Sequence, residues 1–279
     1  MSQHIAHAED AGFVEGFAQY EADVAHAAAT EAAQEGGIHV SIAAEKLGEF
    51  IGIPITNTLI TSWVVIGILV IAAFLLRSKL AMVPSRFQTL VEEMVTFVYD
   101  YIAETLGSRE WARKFFPLLM TIFLFIFVGN MLHFIPGIGS IEYHGHDLLR
   151  APSTDLTVPL VLALISFFVI EITGILAIGF WKYAGKFLVN PIKSPLGAAV
   201  GFIELIGELV RVVSLSFRLF GNILAGEIVI AVAIYFAPYF APVPLMMFEV
   251  FIGLLQAAVF ALLTLFFIKL AIAEPHEAH

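Results

Sequence analysis

The sequence predicts an all-α integral membrane protein. It has five membrane-embedded helices and one amphipathic interfacial helix, the last two embedded helices being long, strongly tilted and paired as a hairpin. Three observations carry this prediction. Of 279 residues, 59% are hydrophobic and 14% charged, and the mean hydropathy is +0.91; a soluble domain carries about 25% charge. The apolar residues gather in runs long enough to cross a bilayer. The last two runs are too long for an upright crossing.

The composition also excludes several chemistries. With no Cys there is no disulfide, no thiolate metal site and no Cys nucleophile. The net charge of −10 is concentrated at one end. Residues 1–50 hold nine acids against one base, Lys46, a net −8 that leaves −2 for residues 51–279. The reading is therefore an acidic N-terminal extension, 1–50, and a nearly neutral membrane domain, 51–279. There is no basic stripe with interleaved aromatics, so nucleic acid is not an expected partner.

The extension lacks the basic and apolar regions of an ordinary cleaved signal peptide. His4, His7, His26 and His39 are spaced by 3, 19 and 13 residues, which fits no compact ligand pattern. The expectation is a solvated, partly helical tail. The first span is Leu59–Leu76, 18 residues without a charge. As a helix it is about 27 Å long, enough to cross the hydrocarbon core. Arg77, Lys79 and Arg86 follow it. Basic residues mark the cytoplasmic side, so the N-terminus is expected outside.

Residues 84–106 read differently. Phe87, Leu90, Val91, Met94, Val98, Tyr101 and Ile102 recur at helical spacing, with Glu92, Glu93, Asp100 and Glu104 between them. That pattern gives an amphipathic helix lying on the interface. The second span is 115–136, apolar until Asn130 and His133 near its outer end. The polar loop 137–159 contains His144, His146 and Asp147; a lone His-Gly-His-Asp is read as solvated loop rather than metal site. Asp155 lies at the mouth of the third span, 158–181, which carries Glu171 near its middle. An ionisable group at that depth needs a reason, such as another helix or a wet cavity. The loop after it carries Lys182, Lys186 and Lys193 and no acid, which places it in the cytoplasm.

Residues 196–236 form 41 residues without Pro, about 61 Å as a helix, against a core about 30 Å thick. A long tilted helix is favoured over one broken at Gly201, Gly207, Gly221 or Gly226. Residues 246–273 give a second run of about 42 Å. Pro238, Pro242 and Pro244 make the turn between them. The C-terminus then lies in the cytoplasm.

The long run carries polar residues in a pattern. Glu204, Glu208, Arg211, Ser214, Arg218 and Asn222 step by 4, 3, 3, 4 and 4 and form one stripe. Arg218 is no snorkelling end residue, because apolar sequence continues more than ten residues beyond it. Glu227, nine residues on, points to the opposite side and is expected to face the last helix. There Glu249 and Gln256 share a face, being seven apart. Glu227 and Glu249 can approach near the outer turn as a proton relay. The competing reading is interhelical hydrogen bonding that only holds the hairpin together. Arg218 stays charged. It is therefore a fixed positive barrier between two acidic vestibules, passable to a mobile carboxylate on another component.

These residues resemble a known family. SLSFRLFGNILAGE at Ser214–Glu227 resembles the Arg-bearing signature of subunit a of the F-type ATP synthase. NMLHFIP at Asn130–Pro136, APSTDLTVPLVLAL at Ala151–Leu164 and LLQAAVFALLTLFF at Leu254–Phe267 agree in order. The resemblance covers roughly residues 55–275 and not the acidic extension. It implies a proton-translocating stator subunit of the membrane sector, not an enzyme on its own, in a bacterial inner membrane. It also implies a c-subunit ring, peripheral-stalk b subunits and lipid as partners, and no cofactor or metal.

In that family two offset half-channels deliver protons to and from ring carboxylates. Arg218 matches the essential Arg. Asn222, Glu227 and Gln256 match outer-side positions, and Glu249, His133 and Asp155 are read with them as the outer proton path. Glu204, Arg211 and Ser214 match the cytoplasmic side, with Glu208 beside them. Two positions depart from the pattern. Glu249 stands where some bacterial relatives carry His, and His133 where some carry an acid. An ion-coupled secondary transporter is the alternative, but such folds show repeated halves, and no internal repeat is visible.

Overall fold

The computed structural model describes residues 46–50, 53–78, 81, 84–132, 142–143, 146–147, 149–187, 195–237 and 240–272. The first 45 residues of the extension, His133, His144, Lys193 and the C-terminal tail lie outside this set. Helices dominate: α1 (Asn57–Ser78), α2 (Arg86–Leu106), α3 (Arg109–Leu132), α4 (Thr157–Ile178), α5 (Phe180–Phe187), α6 (Pro195–Phe236) and α7 (Pro242–Ile272). Five of them, α1, α3, α4, α6 and α7, are long and apolar enough to cross a membrane. Two short antiparallel hairpins sit at loops. β1 (Lys46–Phe50) pairs with β2 (Ile53–Thr56), and β3 (Glu142–Tyr143) with β4 (His146–Asp147). The end of the extension is thus extended rather than helical.

α1 is apolar nearly all round and leaves Trp63, Ile66, Ile71 and Phe74 exposed. A helix of that kind is stable only against lipid or in a large core. Its buried positions are Asn57, Thr58, Thr61, Ser62 and Val65, a helical stripe that is polar at the end where α1 begins. α2 starts at Ser85, whose hydroxyl accepts from the Gln88 N–H at 3.3 Å, and stops at Gly107, φ +67°. That left-handed cap costs Gly little. Ile102 and Val98 pack toward α3, while Phe87, Leu90, Met94, Phe97 and Tyr101 stay exposed. The expected apolar face thus divides into a packing edge and an open stripe.

α3 makes its most extensive contact with α7, and α4 packs on both α6 and α7. Small residues allow this: Ala163 and Ser166 of α4 and Ala257 and Thr264 of α7 are all buried. Small side chains let helices approach where lipid gives no hydrophobic drive. Ile122, Ile126, Leu219, Ile223 and Phe260 fill the space between them.

α4 ends three residues before the expected Trp181. Gly179, at φ +92°, turns the chain into α5, an eight-residue helix that takes the last two residues of the expected span and the first six of the expected loop. α6 runs 42 residues without a break. Its buried residues Val212, Leu215, Leu219 and Ile223 centre roughly 100° round the helix from Arg218. The polar stripe is therefore the border between the packed face and the open face.

Candidate functional site

The polar residues of α6 divide between two clusters at its opposite ends, with Arg218 between. Glu208 lies about 15 Å before Arg218 along the axis, and Glu227 about 13 Å after it.

At the first end α6 meets α4, α5 and the last turns of α7 around a cavity of about 290 Å³. Glu204, Gly207, Glu208 and Arg211 form the α6 wall, facing Tyr183 and Phe267. Glu208 is buried and pairs with Arg211 one turn on. Pairing is what allows a carboxylate to sit there. The guanidinium also lies over the Phe267 ring, 3.9 Å from its centroid, a cation–π contact. The Tyr183 ring sits so close over Gly174 that a Cβ there would overlap it. Its hydroxyl donates to Glu171 Oε2 at 2.9 Å. Burial first, then that hydrogen bond and the Glu171 charge, hold the phenol far above its usual range. Tyr183 stays protonated and remains a donor.

At the second end Arg150 Nη2 donates to Glu227 Oε2 at 2.9 Å. The side chains are 6% and 20% exposed, so this pair is largely withdrawn from solvent. The segment bearing Arg150 is pinned from several sides. The Arg150 backbone N–H donates to Thr61 Oγ1 at 3.1 Å. Ser153 Oγ, in the short 3₁₀ turn Pro152–Thr154, donates to Asn130 Oδ1 at 2.7 Å. Asp155 accepts from Thr58 Oγ1 at 3.1 Å and from the Thr157 N–H at 3.0 Å. It thereby ties the start of α4 to the start of α1.

Glu249 enters this cluster from α7. It is 3% exposed, and neither carboxylate oxygen has a hydrogen-bond partner among the described residues. Its oxygens press against Gly226, where a Cβ would overlap them, and it lies within electrostatic reach of Glu227. Gln256, also buried, accepts from Asn222 Nδ2 at 2.9 Å and links α6 to α7. The expectation that Glu227 faces the last helix is thus divided. Glu227 itself turns to Arg150, and its neighbour Gly226 receives Glu249. His133 lies outside the described residues.

Arg218 belongs to neither cluster. It is exposed with Ser214 and Gly221 on the open face of α6. Among the described residues it makes no hydrogen bond or ion pair.

Sequence reasoning missed Arg150. A usable signal existed: it is the lone Lys or Arg in 137–159, a loop expected on the outer side, which the positive-inside rule keeps poor in bases.

The sequence matches known proteins. The family model described as ATP synthase A chain matches residues 59–269. ATP synthase subunit a of Campylobacter concisus (strain 13826) is 37% identical over 213 residues, covering 76% of this chain and 88% of that protein. ATP synthase subunit a of Moorella thermoacetica is 33% identical over 217 residues, 77% of this chain and 90% of the relative. ATP synthase subunit a 2 of a Bradyrhizobium strain is 34% identical over 223 residues, 80% and 91%. The chain therefore belongs to the ATP synthase A chain family, the proton-translocating, non-catalytic subunit a of the ATP synthase membrane sector.

Proposed function

We propose that the two clusters are offset proton half-channels and that Arg218 separates them. The outer half-channel runs by Asp155, His133, Glu249, Glu227, Gln256 and Asn222. The inner one runs by Ser214, Arg211, Glu208 and Glu204. Protons pass between them only on carboxylates of a c-subunit ring that turns against the open face of α6, so proton flow drives rotation and ATP synthesis. The observation that carries this reading is Arg218 itself, a guanidinium on an exposed apolar helix with no hydrogen-bond or ion-pair partner among the described residues. At membrane depth such a charge costs about 2.5–3.5 kcal/mol. A carboxylate from outside the chain offsets that cost.

The orientation follows from charge. Arg77, Arg109, Arg113, Lys114, Lys182 and Lys269 flank the Glu208 end, which the positive-inside rule assigns to the cytoplasm of a bacterial inner membrane. The N-terminus is then outside and the C-terminus inside. The open apolar faces of α1 and α2 are left for lipid and for peripheral-stalk b subunits.

Reconstitution tests the reading against an ion-coupled transporter. Vesicles holding the whole ATP synthase are expected to pump protons on ATP addition. Omitting this chain or the c-ring should remove the pumping. Solute uptake by vesicles holding this chain alone would overturn the reading.

A further inference from the structure

Glu171 is absorbed by neither half-channel, yet the fold gives it a route to one of them. It sits on α4, seven residues before the helix ends, and is partly buried. Oε2 accepts from Tyr183 at 2.9 Å, while Oε1 is buried with no hydrogen-bond partner among the described residues. A buried acceptor left empty costs about 1–3 kcal/mol, so a carboxylate kept only as a strut leaves that oxygen unexplained. Tyr183 meanwhile lines the cavity beside Glu204, Glu208 and Arg211. Gly174 and Gly179 are what allow this: the first admits the ring against α4, the second turns the chain back.

We propose that Glu171 is a proton-exchanging carboxylate of the inner half-channel, reached from the cavity through the Tyr183 hydroxyl. A hydronium in the cavity gives its proton to Tyr183 Oη as the phenol's own proton passes to Glu171 Oε2. Water, neutral phenol and neutral carboxylic acid result, and the reverse step returns the proton. Tyr183 never ionises along this route, because one O–H bond forms as the other breaks. The charged groups facing the pair are Glu204, Glu208 and Arg211 of α6. The α7 residues lining the cavity, Phe267, Leu270 and Ala271, carry none, and Lys182 of α5 is exposed. The proposal rests on reading this cavity as the inner half-channel.

Glu171→Gln and Tyr183→Phe separate this role from a structural one. Gln keeps an acceptor for the Tyr183 hydroxyl, and Phe keeps the ring over Gly174. A strut tolerates the first change; a proton-exchanging group does not. The readout is passive proton conductance of vesicles holding the assembled complex with its soluble sector removed, followed over a pH series. Each variant is expected to lower conductance about tenfold, less than the loss typical of a sole proton-transfer group, because Glu204 and Glu208 remain. Both should alter the pH profile alike, and the double variant should be no worse than either single one. Wild-type conductance and profile in Glu171→Gln would overturn the proposal. If that variant is absent from membranes by immunoblot, Tyr183→Phe decides in the same way. Failure of the half-channel reading itself shows separately, as coupled pumping that survives loss of Arg218.

Discussion

Replacing Arg218 with Ala is expected to abolish both ATP-driven proton pumping and proton-driven ATP synthesis, with residual rates at or below about 1% of wild type. The magnitude follows from the charge. At about 4 Å and an effective dielectric near 20, a guanidinium attracts a carboxylate by roughly 4 kcal/mol, and each 1.4 kcal/mol is about tenfold in an equilibrium constant. Ala removes that attraction. It also removes the positive barrier between the clusters around Glu208 and Glu227. Passive proton leak is therefore expected to rise while coupled transport disappears. Arg218→Lys should be nearly as damaging. Lys keeps a charge but not the planar fork, and it loses its proton readily when desolvated. Acid-quench pumping assays and synthesis rates in the same vesicles check all of this. Near-wild-type synthesis in either variant would refute the role given to Arg218.

Arg150→Met is the second large effect. Arg150 and Glu227 meet at 2.9 Å with little exposure. Removing one partner of a buried pair costs about 3–5 kcal/mol, mostly from the uncompensated charge left behind. The expected result is a several-fold drop in the amount of the subunit retained in membranes, and a comparable loss of pumping per retained subunit. Glu227→Gln alone should be similarly harmful. The double variant Arg150→Met/Glu227→Gln should recover subunit levels, since no charge is then stranded, but not pumping, since the proposed path has lost a carboxylate. Quantitative immunoblots and pumping rates form the cycle. Independent, additive losses at the two positions would show that the ion pair does not couple them.

The parts legible in the sequence are those set by length and periodicity. The 41 residues 196–236 carry no Pro, which favours one long helix over a broken one, and α6 runs through them without a break. The stripe from Glu204 to Asn222 follows from 100° per residue and needs no tertiary information. The parts that were not legible depend on which loop residue meets which helix. Arg150 lies outside every span, and nothing local reveals that Thr61 and Asn130 pin its segment against Glu227. Tyr183 was hidden for a related reason. Its partner Glu171 is twelve residues away across a reversal at Gly179, and a continuous apolar run to Trp181 masks that reversal. Asp155 shows the limit of chemistry read by residue type. An acid at the mouth of a span suggests an ion path, and the fold also uses both its oxygens to join α1 to α4.

The central claim is that the two clusters open to opposite sides of the membrane and that Arg218 divides them. The chain has no Cys, so single substitutions carry clean probes. Thr61→Cys and Asn222→Cys report the Glu227 end, and Glu204→Cys and Gly207→Cys the Glu208 end. A small membrane-impermeant thiol reagent is added to one side of vesicles holding the intact complex. The first pair is predicted to label only from the outer side and the second only from the cytoplasmic side. Labelling of both pairs from the same side would contradict the account.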